Sequence, residues 1–456
     1  MNRIADYLNN KSILLLGFGR EGQSSYHFIR KYLKNNPICI ADKNIHLDKS
    51  SFADEPLNFV LGDNYLDNIN DFDIVLKSPG ISLKDRILSI DSNKISSQTD
   101  LFLQAYSSQC IGVTGTKGKS TTSTLIFHIL SQLDNNVVFG GNIGIPLFEL
   151  IDKIDPTTKI VLELSSHQLE FIHKAPKISL LLNLFEEHLD HYNSYLDYQK
   201  AKFNIAKYQS KDDFFICNGQ DENIDNLLKT IPIDSKILKF GKGRTSNLYS
   251  FVDQQQIFLN NNGQDILIKR IDEQFPLKGE HNFMNVAAAV AAISCLHDID
   301  LKQISAQLDS FHPLKHRLEP LGIFDEIIFY NDSISTIPQA SIAAVEALKN
   351  VDTLILGGMD RGINYQPLAD YFTHGKVQHF IFVGQAGKRM MQLFENKGIK
   401  ELFFCDTYPE IVALAKKITQ KGKICLLSPA APSYDMFKNF EARGDFFRTL
   451  VENKQL

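Results

Sequence analysis

The chain has 456 residues, which is more than one hydrophobic core usually serves, so we expect two or three domains. Hydrophobic residues make up 43% and charged residues 22%, and these values exclude a disordered, fibrous or repetitive chain. The 48 Lys and Arg against 53 Asp and Glu give a formal charge of -5, so the composition offers no general basis for binding nucleic acid.

The six cysteines lie far apart and form no CxxC pair, so they offer no clamp for a metal ion. We expect them to be reduced and mostly buried. The first eleven residues lack the apolar core of a signal peptide, and no run of 18 apolar residues occurs in the chain. These features predict a cytoplasmic protein without a membrane partner.

The first region of the chain alternates short apolar runs with helical patterns. Residues 12–16, 38–40 and 74–76 predict buried strands, and residues 26–33 predict a helix. Buried strands that alternate with helices indicate a doubly wound parallel sheet. The pattern weakens over the polar residues 91–99, where we expect a linker.

A second α/β region starts with a predicted strand at 110–114, followed by a glycine-rich turn and a helix over 120–132. Residues 210–275 alternate more strongly, and Asn261-Asn262-Gly263 predicts a hairpin there. Its other predicted elements are strands at 160–164 and 178–183 and a packed, alanine-rich helix at 286–295.

A third α/β region begins near Pro313. Its predicted strands lie at 327–330, 351–356, 380–383 and 424–427. The sequence therefore predicts an α/β protein with three domains, a Rossmann-like domain over 1–97, a P-loop-type ATPase domain over 98–313 and a second Rossmann-like domain over 314–456.

A glycine-rich loop with the sequence Gly-Thr-Lys-Gly-Lys-Ser-Thr spans residues 115–121, between a predicted strand and a helix. Backbone amides in such a loop, together with the helix N-terminus, can hold phosphate groups. Lys119 can reach a terminal phosphate, and the hydroxyl of Ser120 or Thr121 can bind Mg²⁺. The common spacing puts a glycine where this chain has Val113, so the loop is a variant of the motif. A glycine turn without a ligand is the alternative.

A second glycine motif, Gly17-x-Gly19-x-x-Gly22, also follows a predicted strand. The same glycines serve any tight turn between a strand and a helix, so the motif alone is a weak signal. Asp42 ends the next strand and favours a ligand with a ribose and phosphates. On these residues alone, binding of NAD or FAD is an open alternative.

Two further residues, Glu163 and His188, suit metal chemistry. Glu163 ends a buried strand, a normal place for a carboxylate that coordinates Mg²⁺, although a lone Glu there is more often a cap or an ion pair. His188 lies in the acidic run 186–191, which offers oxygen and imidazole ligands but also fits a solvated charged face. Lys202 lies on a predicted helix, where an exposed surface lysine is the ordinary expectation.

These motifs, together with others in the same order along nearly the whole chain, resemble those of the Mur ligases, which add amino acids to the cell-wall peptide precursor. Residues 113–121 resemble the ATP loop of that family, with Lys117 in place of the usual asparagine. Within the family the resemblance is strongest to the glutamate-adding enzymes. The other matching stretches are 140–144, 162–170, 187–190, 279–285, 316–317, 331–333, 427–430 and 437–441.

The resemblance implies a ligase that uses ATP and Mg²⁺ to join glutamate to UDP-N-acetylmuramoyl-L-alanine through an acyl phosphate. Residues 1–97 would bind the UDP-linked substrate, 98–313 ATP and 314–456 glutamate. The matching lysine of the family is carbamylated, so Lys202 is expected to carry a carboxylate-like head. The implied catalytic residues are Lys119, His188 and Lys202, and the implied metal ligands are Ser120, Glu163, His188 and carbamylated Lys202.

The resemblance also assigns the binding residues and implies small-molecule partners, and we expect a monomer. The implied ATP-binding residues are Gly115, Thr116, Lys117, Gly118, Lys119, Ser120, Thr121, Asn285, Arg317 and Asp332. The implied residues for the UDP-linked substrate are Gly17, Phe18, Gly19, Arg20, Glu21, Gly22, Asp42, Ser78, Pro79, Gly80, Asn142, Ser165 and Gln168. The implied glutamate-binding residues are Thr336, Arg361, Ser433 and Phe440.

Several positions depart from the family pattern. Ile334 stands where a lysine is usual, Arg361 replaces a glutamate-binding lysine, and His167 replaces a phenylalanine. Ala431-Pro432 replaces the more common Cys-Ala. These changes resemble those of a subgroup that adds L-glutamate, so the sequence favours L-glutamate over the D-glutamate that is usual in the family.

Two other functions fit parts of the sequence. A folylpolyglutamate-synthetase-like ligase shares the ATP loop, but those enzymes lack a first domain with its own glycine turn. A non-catalytic nucleotide-binding regulator is the second alternative. The retention of Lys119, Glu163, His188 and Lys202 together argues against that alternative.

Overall fold

The computed structural model describes residues 3–47, 52, 57–261, 263–296, 299–312, 315–373, 375 and 377–452. The chain divides into two compact units. The first unit comprises Met1–Phe275 and His281–Phe311, and the second comprises Pro276–Glu280 and His312–Leu456.

The first sheet is parallel and belongs to the first unit. Its strands are β1 (Ile13–Leu16), β2 (Ile38–Asp42), β3 (Leu57–Leu61), β4 (Ile74–Lys77) and β5 (Ile95–Ser96). The strand order is β3-β2-β1-β4-β5, so β2 and β3 lie on one side of β1 and β4 and β5 lie on the other. The topological switch point is therefore between β1 and β4, and doubly wound sheets bind their ligands at this position. Its helices are α1 (Arg3–Leu8), α2 (Arg20–Tyr32) and α3 (Gln98–Tyr106).

The expected linker over 91–99 is instead ordered secondary structure that contains β5 and the start of α3. Ser97 caps α3, because its Oγ accepts a hydrogen bond from the backbone N–H of Asp100 at 3.0 Å. The buried Asp100 carboxylate accepts from Ser96 Oγ at 2.8 Å and from the N–H of His173 at 2.7 Å. The polar composition of this stretch therefore serves buried hydrogen bonds.

The second sheet completes the first unit. Its strands are β6 (Cys110–Thr114), β7 (Val137–Gly141), β8 (Lys159–Glu163), β9 (Ile178–Leu181), β10 (Phe214–Asn218), β11 (Lys236–Lys242), β12 (Ser250–Asp253), β13 (Gln256–Asn261) and β14 (Gln264–Arg270). The order is β14-β13-β12-β11-β10-β9-β6-β8-β7, and β13 and β14 are antiparallel to each other. The predicted hairpin is thus confirmed, although Asn262 lies outside the described residues.

Helices cover the second sheet and support the loop that follows β6. They are α4 (Lys119–Leu133), α5 (Ser166–Leu169), α6 (Tyr195–Lys207), α7 (Glu222–Thr230), α8 (Glu280–Ser294) and α9 (Leu301–Asp309). The predicted alanine-rich helix is confirmed as α8, in which Val286 to Ile293 are fully buried. Small alanine side chains let α8 pack closely against its neighbours.

The second unit contains the third sheet. Its strands are β15 (Glu319–Phe324), β16 (Ile327–Asn331), β17 (Val351–Gly357), β18 (His379–Val383), β19 (Leu402–Phe404) and β20 (Ile424–Leu427), in the order β15-β16-β20-β17-β18-β19. Its helices are α10 (Pro338–Leu348), α11 (Gln366–Phe372), α12 (Gly384–Asn396), α13 (Tyr408–Ile418) and α14 (Phe440–Glu452).

The four strands predicted for the third region are confirmed as β16, β17, β18 and β20. The edge strands β15 and β19 were not predicted, since edge strands are less buried and less apolar than central ones. The expected boundary at Pro313 and Leu314 lies outside the described residues.

The cysteines are buried and form no disulfide, as the sequence predicts. Burial raises the pKa of the Cys39 thiol to about 11, so the reactive thiolate is disfavoured at neutral pH. In the part of the chain that the structure describes, no helix is both long enough and apolar enough to cross a membrane.

Candidate active site

A cavity of about 400 Å³ opens at the carboxyl edge of the first sheet, where the strand order reverses. Most of its wall comes from residues that the sequence assigns to the UDP-linked substrate, and Gly141, Asn142 and Pro146 are added from the region around β7. The cavity is lined by Gly17, Gly19, Arg20, Glu21, Asp42, Ser78, Pro79, Gly80, Ile81, Gly141, Asn142 and Pro146.

The turn after β1 requires glycine at its first position. Gly17 has a φ of +88°, and a Cβ built there would lie 2.9 Å from Ser78 Cβ. A larger residue would therefore be strained and would also push the Ser78 segment away. This close approach brings the ends of β1 and β4 together at the cavity.

Asp42 stabilises the glycine turn through hydrogen bonds to the backbone. Its Oδ2 accepts a hydrogen bond from the N–H of Phe18 at 2.7 Å, and its Oδ1 accepts from the N–H of Asn44 at 2.8 Å. Both carboxylate oxygens are thus engaged by the backbone. A carboxylate has about four acceptor sites, so Asp42 can still accept a hydrogen bond from a ligand in the cavity.

The remaining residues assigned to this ligand lie behind the wall of the cavity. Ser165 caps α5, and Gln168 completes a capping box with it. Gln168 Nε2 also donates to Glu21 Oε1 at 2.8 Å, so α5 supports the Glu21 side chain. Phe18 is buried, and Gly22 packs beneath the Gly17 carbonyl.

The Gly115 loop lies at the carboxyl edge of the second sheet, between β6 and α4. Gly118 has a φ of +86°, and a Cβ built there would lie 2.5 Å from Asn285 Oδ1. Only glycine therefore allows the loop to contact α8 this closely. The structure thus brings Asn285 directly against the loop, as its assignment to the same ligand requires.

Two lysines converge on one carbonyl of this loop. Lys119 Nζ donates to the carbonyl oxygens of Gly115 and Thr116 at 2.9 and 3.0 Å. Lys202 Nζ donates to the Gly115 oxygen as well, at 2.9 Å, and Lys202 is only 2% exposed. Lys202 is therefore not the surface residue that composition alone favours.

The environment of Lys202 favours a neutral amine. Burial and then the positive charge of Lys119 lower the pKa of Lys202 well below its ordinary value, against the opposing charges of Glu187 and Glu163. A neutral amine is a nucleophile, whereas an ammonium group is not.

Glu163 ends β8 beside the loop and is 1% exposed. Its Oε1 accepts a hydrogen bond from Asn142 Nδ2 at 2.7 Å. Its Oε2 is buried and has no hydrogen-bond partner within the described part of the chain. A buried carboxylate oxygen without a partner is costly, so this position fits a cation that would complete it.

His188 lies in a turn, defined here as residues 188–192, and has a φ of +60°. The N–H groups of His191 and Tyr192 donate to the His188 carbonyl at 3.0 and 3.2 Å. The His167 ring packs against the rings of His188 and His191, with centroids 4.8 and 4.1 Å away. His167 therefore packs against the side chains of both histidines of this turn.

Tyr198 and Asn183 also hold the Gly115 loop, although the sequence did not single them out. Tyr198 OH lies 2.8 Å from Thr116 Oγ1, and Asn183 Oδ1 accepts from the N–H of Lys117 at 2.8 Å. Lys117 Nζ forms an ion pair with Glu187. A polar residue just after a buried strand was the available signal for Asn183.

Among the described residues, no group of three or more His, Cys, Asp or Glu side chains is arranged to hold a metal ion. Glu163 and His188 alone are too few for a six-coordinate Mg²⁺. A site here would also need Ser120, which is half-buried in the first turn of α4, and Lys202.

Arg317 and Asp332 belong to the second unit. Asp332 follows β16 and is 3% exposed. Its Oδ1 accepts from the N–H of Leu318 at 3.1 Å, and its Oδ2 accepts from Ser428 Oγ at 2.7 Å. Burial raises the pKa of Asp332 to about 6, against these hydrogen bonds and the charge of the half-buried Arg317.

The residues assigned to glutamate also lie in the second unit, in different surroundings. Ser433 is buried, whereas Thr336 and Phe440 are half-buried. Arg361 is exposed, and its guanidinium carbon lies 5.0 Å from the centre of the Tyr434 ring. An aromatic face of this kind can orient a guanidinium group.

Arg443 is a buried residue that the sequence did not single out. Its Nη1 donates to the carbonyl of Ala431 at 3.0 Å, and its Nη2 donates to the carbonyl of Ser333 at 2.8 Å. Arg443 therefore ties the segment before Ser433 to the segment after β16. Distant hydrogen bonds of this kind leave no local signal in a sequence.

Comparisons with known proteins bear on these features. Residues 113–293 match the family model described as the Mur ligase middle domain. The UDP-N-acetylmuramoylalanine–D-glutamate ligase of Oenococcus oeni is 33% identical over 452 residues, which are 98% of this chain and 98% of that protein. The protein of the same name from Clostridium novyi is 31% identical and covers 99% of both chains. The chain belongs to the Mur ligase family.

The fold agrees with this membership. The MurF ligase of Thermotoga maritima, solved in complex with ADP, superimposes with a TM-score of 0.59 and 15% sequence identity. The superposition covers 99% of both chains. The relatives that match the whole chain are ligases, so this Mur ligase is an enzyme, and its α/β fold with three sheets is the one that the sequence predicts.

Proposed function

We propose that this Mur ligase joins glutamate to UDP-N-acetylmuramoyl-L-alanine in peptidoglycan precursor synthesis, with conversion of ATP to ADP and phosphate. The proposal is carried by the convergence of Lys119, Lys202 and the unpartnered Glu163 oxygen around the Gly115 loop. The end-to-end similarity to relatives named for this reaction supports it.

We propose D-glutamate as the amino acid. The departures at Ile334 and Arg361 favour L-glutamate from the sequence alone. The relatives that match the whole chain are named for D-glutamate, and this observation favours the other isomer. The carboxylate of either isomer would meet Arg361, whose planar guanidinium suits paired oxygens.

In the proposed reaction the substrate carboxylate takes the terminal phosphoryl of ATP, and the glutamate amine then displaces phosphate to form the amide. Lys119 would balance the negative charge on the transferring phosphoryl. The Gly115 loop and the first turn of α4 would orient the phosphates through backbone N–H groups. Asn285 would hold the loop in the conformation that presents those groups.

Mg²⁺, when bound, would neutralise phosphate charge and orient the phosphoryl group. We propose Ser120, Glu163, His188 and carbamylated Lys202 as the residues that hold it. Carbamylation joins the neutral Lys202 amine to CO₂ and releases a proton, which leaves a carboxylate on the side chain. The lowered pKa of Lys202 supports this step, because only the neutral amine reacts.

We further propose that residues 1–97 bind the UDP-linked substrate in the first cavity, 98–313 bind ATP and 314–456 bind glutamate. The remaining residues assigned from the family keep those proposed roles. A cytoplasmic, monomeric enzyme remains our expectation.

The proposal is tested by incubating the purified protein with UDP-N-acetylmuramoyl-L-alanine, ATP, Mg²⁺ and either D- or L-glutamate. Mass spectrometry of the product and phosphate release are measured together. We expect amide product with D-glutamate and one phosphate per amide. A strong preference for L-glutamate would reverse the isomer and leave the ligase assignment intact. Turnover only with a folate-type acceptor, or no ATP turnover at all, would replace the proposed function.

A further inference from the structure

Lys77 is a buried cation at the end of β4, directly before the Ser78-Pro79-Gly80 wall of the first cavity. Its side chain is 2% exposed, and its Nζ lies 3.3 Å from Glu170 Oε2. Burial lowers the pKa of Lys77, and the charge of Glu170 opposes that change. A buried cation that lost its anion would be costly, so the pair ties the end of β4 to the end of α5.

Glu170 extends this tie to the turn that carries His188. His191 Nε2 lies 3.2 Å from Glu170 Oε2, within hydrogen-bond distance. His191 is itself buried and bonded through its backbone to the His188 carbonyl. The His167 ring packs against both histidines. A continuous set of contacts therefore runs from the cavity wall to His188.

Two further hydrogen bonds join the same segments directly. Ser82 Oγ donates to the carbonyl of His191 at 2.9 Å. Lys84 Nζ donates to the carbonyl of Asp190 at 2.5 Å. Residues 77–84, of which 78–81 line the cavity, thus hold the 188–192 turn at separate points along its length.

We propose that Lys77 is a positioning residue that, with Glu170 and His191, fixes the His188 turn relative to the wall of the first cavity. The inference rests on the proposed function, because a substrate in that cavity must present its carboxylate to a phosphoryl group beside His188. Misplacement by about 1 Å can cost about 100-fold in rate, so such a tie affects turnover more than binding.

The test compares Lys77→Met, Glu170→Gln and the double variant with the wild type, in kcat, in KM for the UDP-linked substrate and in thermal stability. We expect each single variant to lose about 10-fold to 100-fold in kcat, with KM changed less than about threefold. The single variants are also expected to lose thermal stability, because each leaves a buried charge without its partner.

The double variant separates positioning from folding. It removes both buried charges, so its thermal stability should recover toward that of the wild type. Its kcat should stay low, because the tie from β4 to α5 is still missing. Recovery of kcat together with stability would overturn the proposal, and so would a wild-type kcat in a folded single variant.

Ser82→Ala keeps the proposal testable if the Lys77 variants do not fold, since Ser82 is only half-buried. We expect its kcat to fall about threefold to tenfold at unchanged KM. A wild-type kcat in Ser82→Ala would then overturn the proposal. Lys239→Met is the matched control for Lys77→Met, because it also breaks a lysine–carboxylate ion pair, of 2.8 Å with Asp225. Its kcat should equal that of the wild type. Absence of product from the wild type would instead refute the proposed function.

Discussion

The first unit contains two glycine loops, each between a buried parallel strand and a helix, that differ in charge. The Gly17 loop carries Arg20 and Glu21 side by side, and its cavity also takes the carboxylate of Asp42. The Gly115 loop instead brings the side chains of Lys119 and Lys202 to one carbonyl, and Lys119 is the cation of the two. The same backbone arrangement therefore occurs in two different electrostatic environments.

The difference indicates what each loop can hold. The positive charge of Lys119 beside backbone N–H groups suits the triphosphate of ATP. The mixed charges of the first loop and its cavity of about 400 Å³ suit a ligand with fewer charges and more neutral polar groups, such as a sugar nucleotide. Glycine positions establish a turn, and the surrounding side chains select the ligand.

The largest effect is expected for Lys119→Ala. If Lys119 balances charge on the transferring phosphoryl, turnover should fall by about 100-fold to 1,000-fold or more, with little loss of stability. Steady-state kinetics with saturating ATP measure this. Lys239→Ala serves as the control, because Lys239 lies on β11, three strands away from β6 in the sheet. Near-normal turnover in Lys119→Ala would end the assignment of ATP to this loop.

When small carboxylates are added, the loss of turnover in Lys202→Ala is expected to be somewhat smaller than the loss in Lys119→Ala. Loss of the carbamate should abolish most activity, and formate or acetate should restore part of it by supplying an oxygen ligand. The same additives should not rescue Lys119→Ala, which lacks a cation instead. Full activity of Lys202→Ala without additives would contradict the proposed carbamate.

Gly118→Ala sharpens the comparison at the level of the backbone. A side chain at a left-handed position costs about 1–3 kcal/mol, and at Gly118 the overlap with Asn285 adds to it. Gly243→Ala is the matched control, because Gly243 has a φ of +76° and no atom within 4 Å of the added Cβ. Urea unfolding should show the larger loss in Gly118→Ala. Equal losses would mean that the contact with Asn285 is unimportant.

The smallest effect concerns Glu21 in the first loop. Burial raises the pKa of Glu21 above its ordinary 4.5, against the hydrogen bond from Gln168 and the charges of Lys77 and Arg20. Its stabilising contribution is thus fully present below pH 4.5 and is lost as pH rises through the folded-state pKa.

Glu21→Gln removes this titration, so the variant should gain stability relative to the wild type as pH increases from 4.5. Urea unfolding at pH 4.5 and pH 8 measures the difference, with the exposed Glu222→Gln as the control. A difference that does not change with pH would show that Glu21 is not held in an unfavourable charged state.

The sequence was sufficient for the central strands of the first and third sheets and for the two glycine loops, because buried strands and glycine turns have local signals. The edge strands β3, β5, β7, β15 and β19 were missed. The boundary of α2 was placed too late, since the helix begins at Arg20 inside the glycine motif. The prediction of a linker over residues 91–99 was wrong, because polar residues that form buried hydrogen bonds have the same composition as a linker. The ion pair of Lys77 with Glu170 and the hydrogen bonds of Arg443 were missed, since such partners are brought together only by the fold.

The central claim is that the Gly17 loop binds the UDP-linked substrate and the Gly115 loop binds ATP. It is tested most directly by measuring the affinity of two variants for each ligand. Gly19→Val narrows the first cavity, and we expect the fold to be kept, because a Cβ built at Gly19 meets no atom within 4 Å. Lys119→Ala alters the second loop. Calorimetry is performed with UDP-N-acetylmuramoyl-L-alanine and with a non-hydrolysable ATP analogue. We predict that Gly19→Val loses affinity only for the UDP-linked substrate and Lys119→Ala only for the ATP analogue. Loss of the same ligand by both variants would contradict the account.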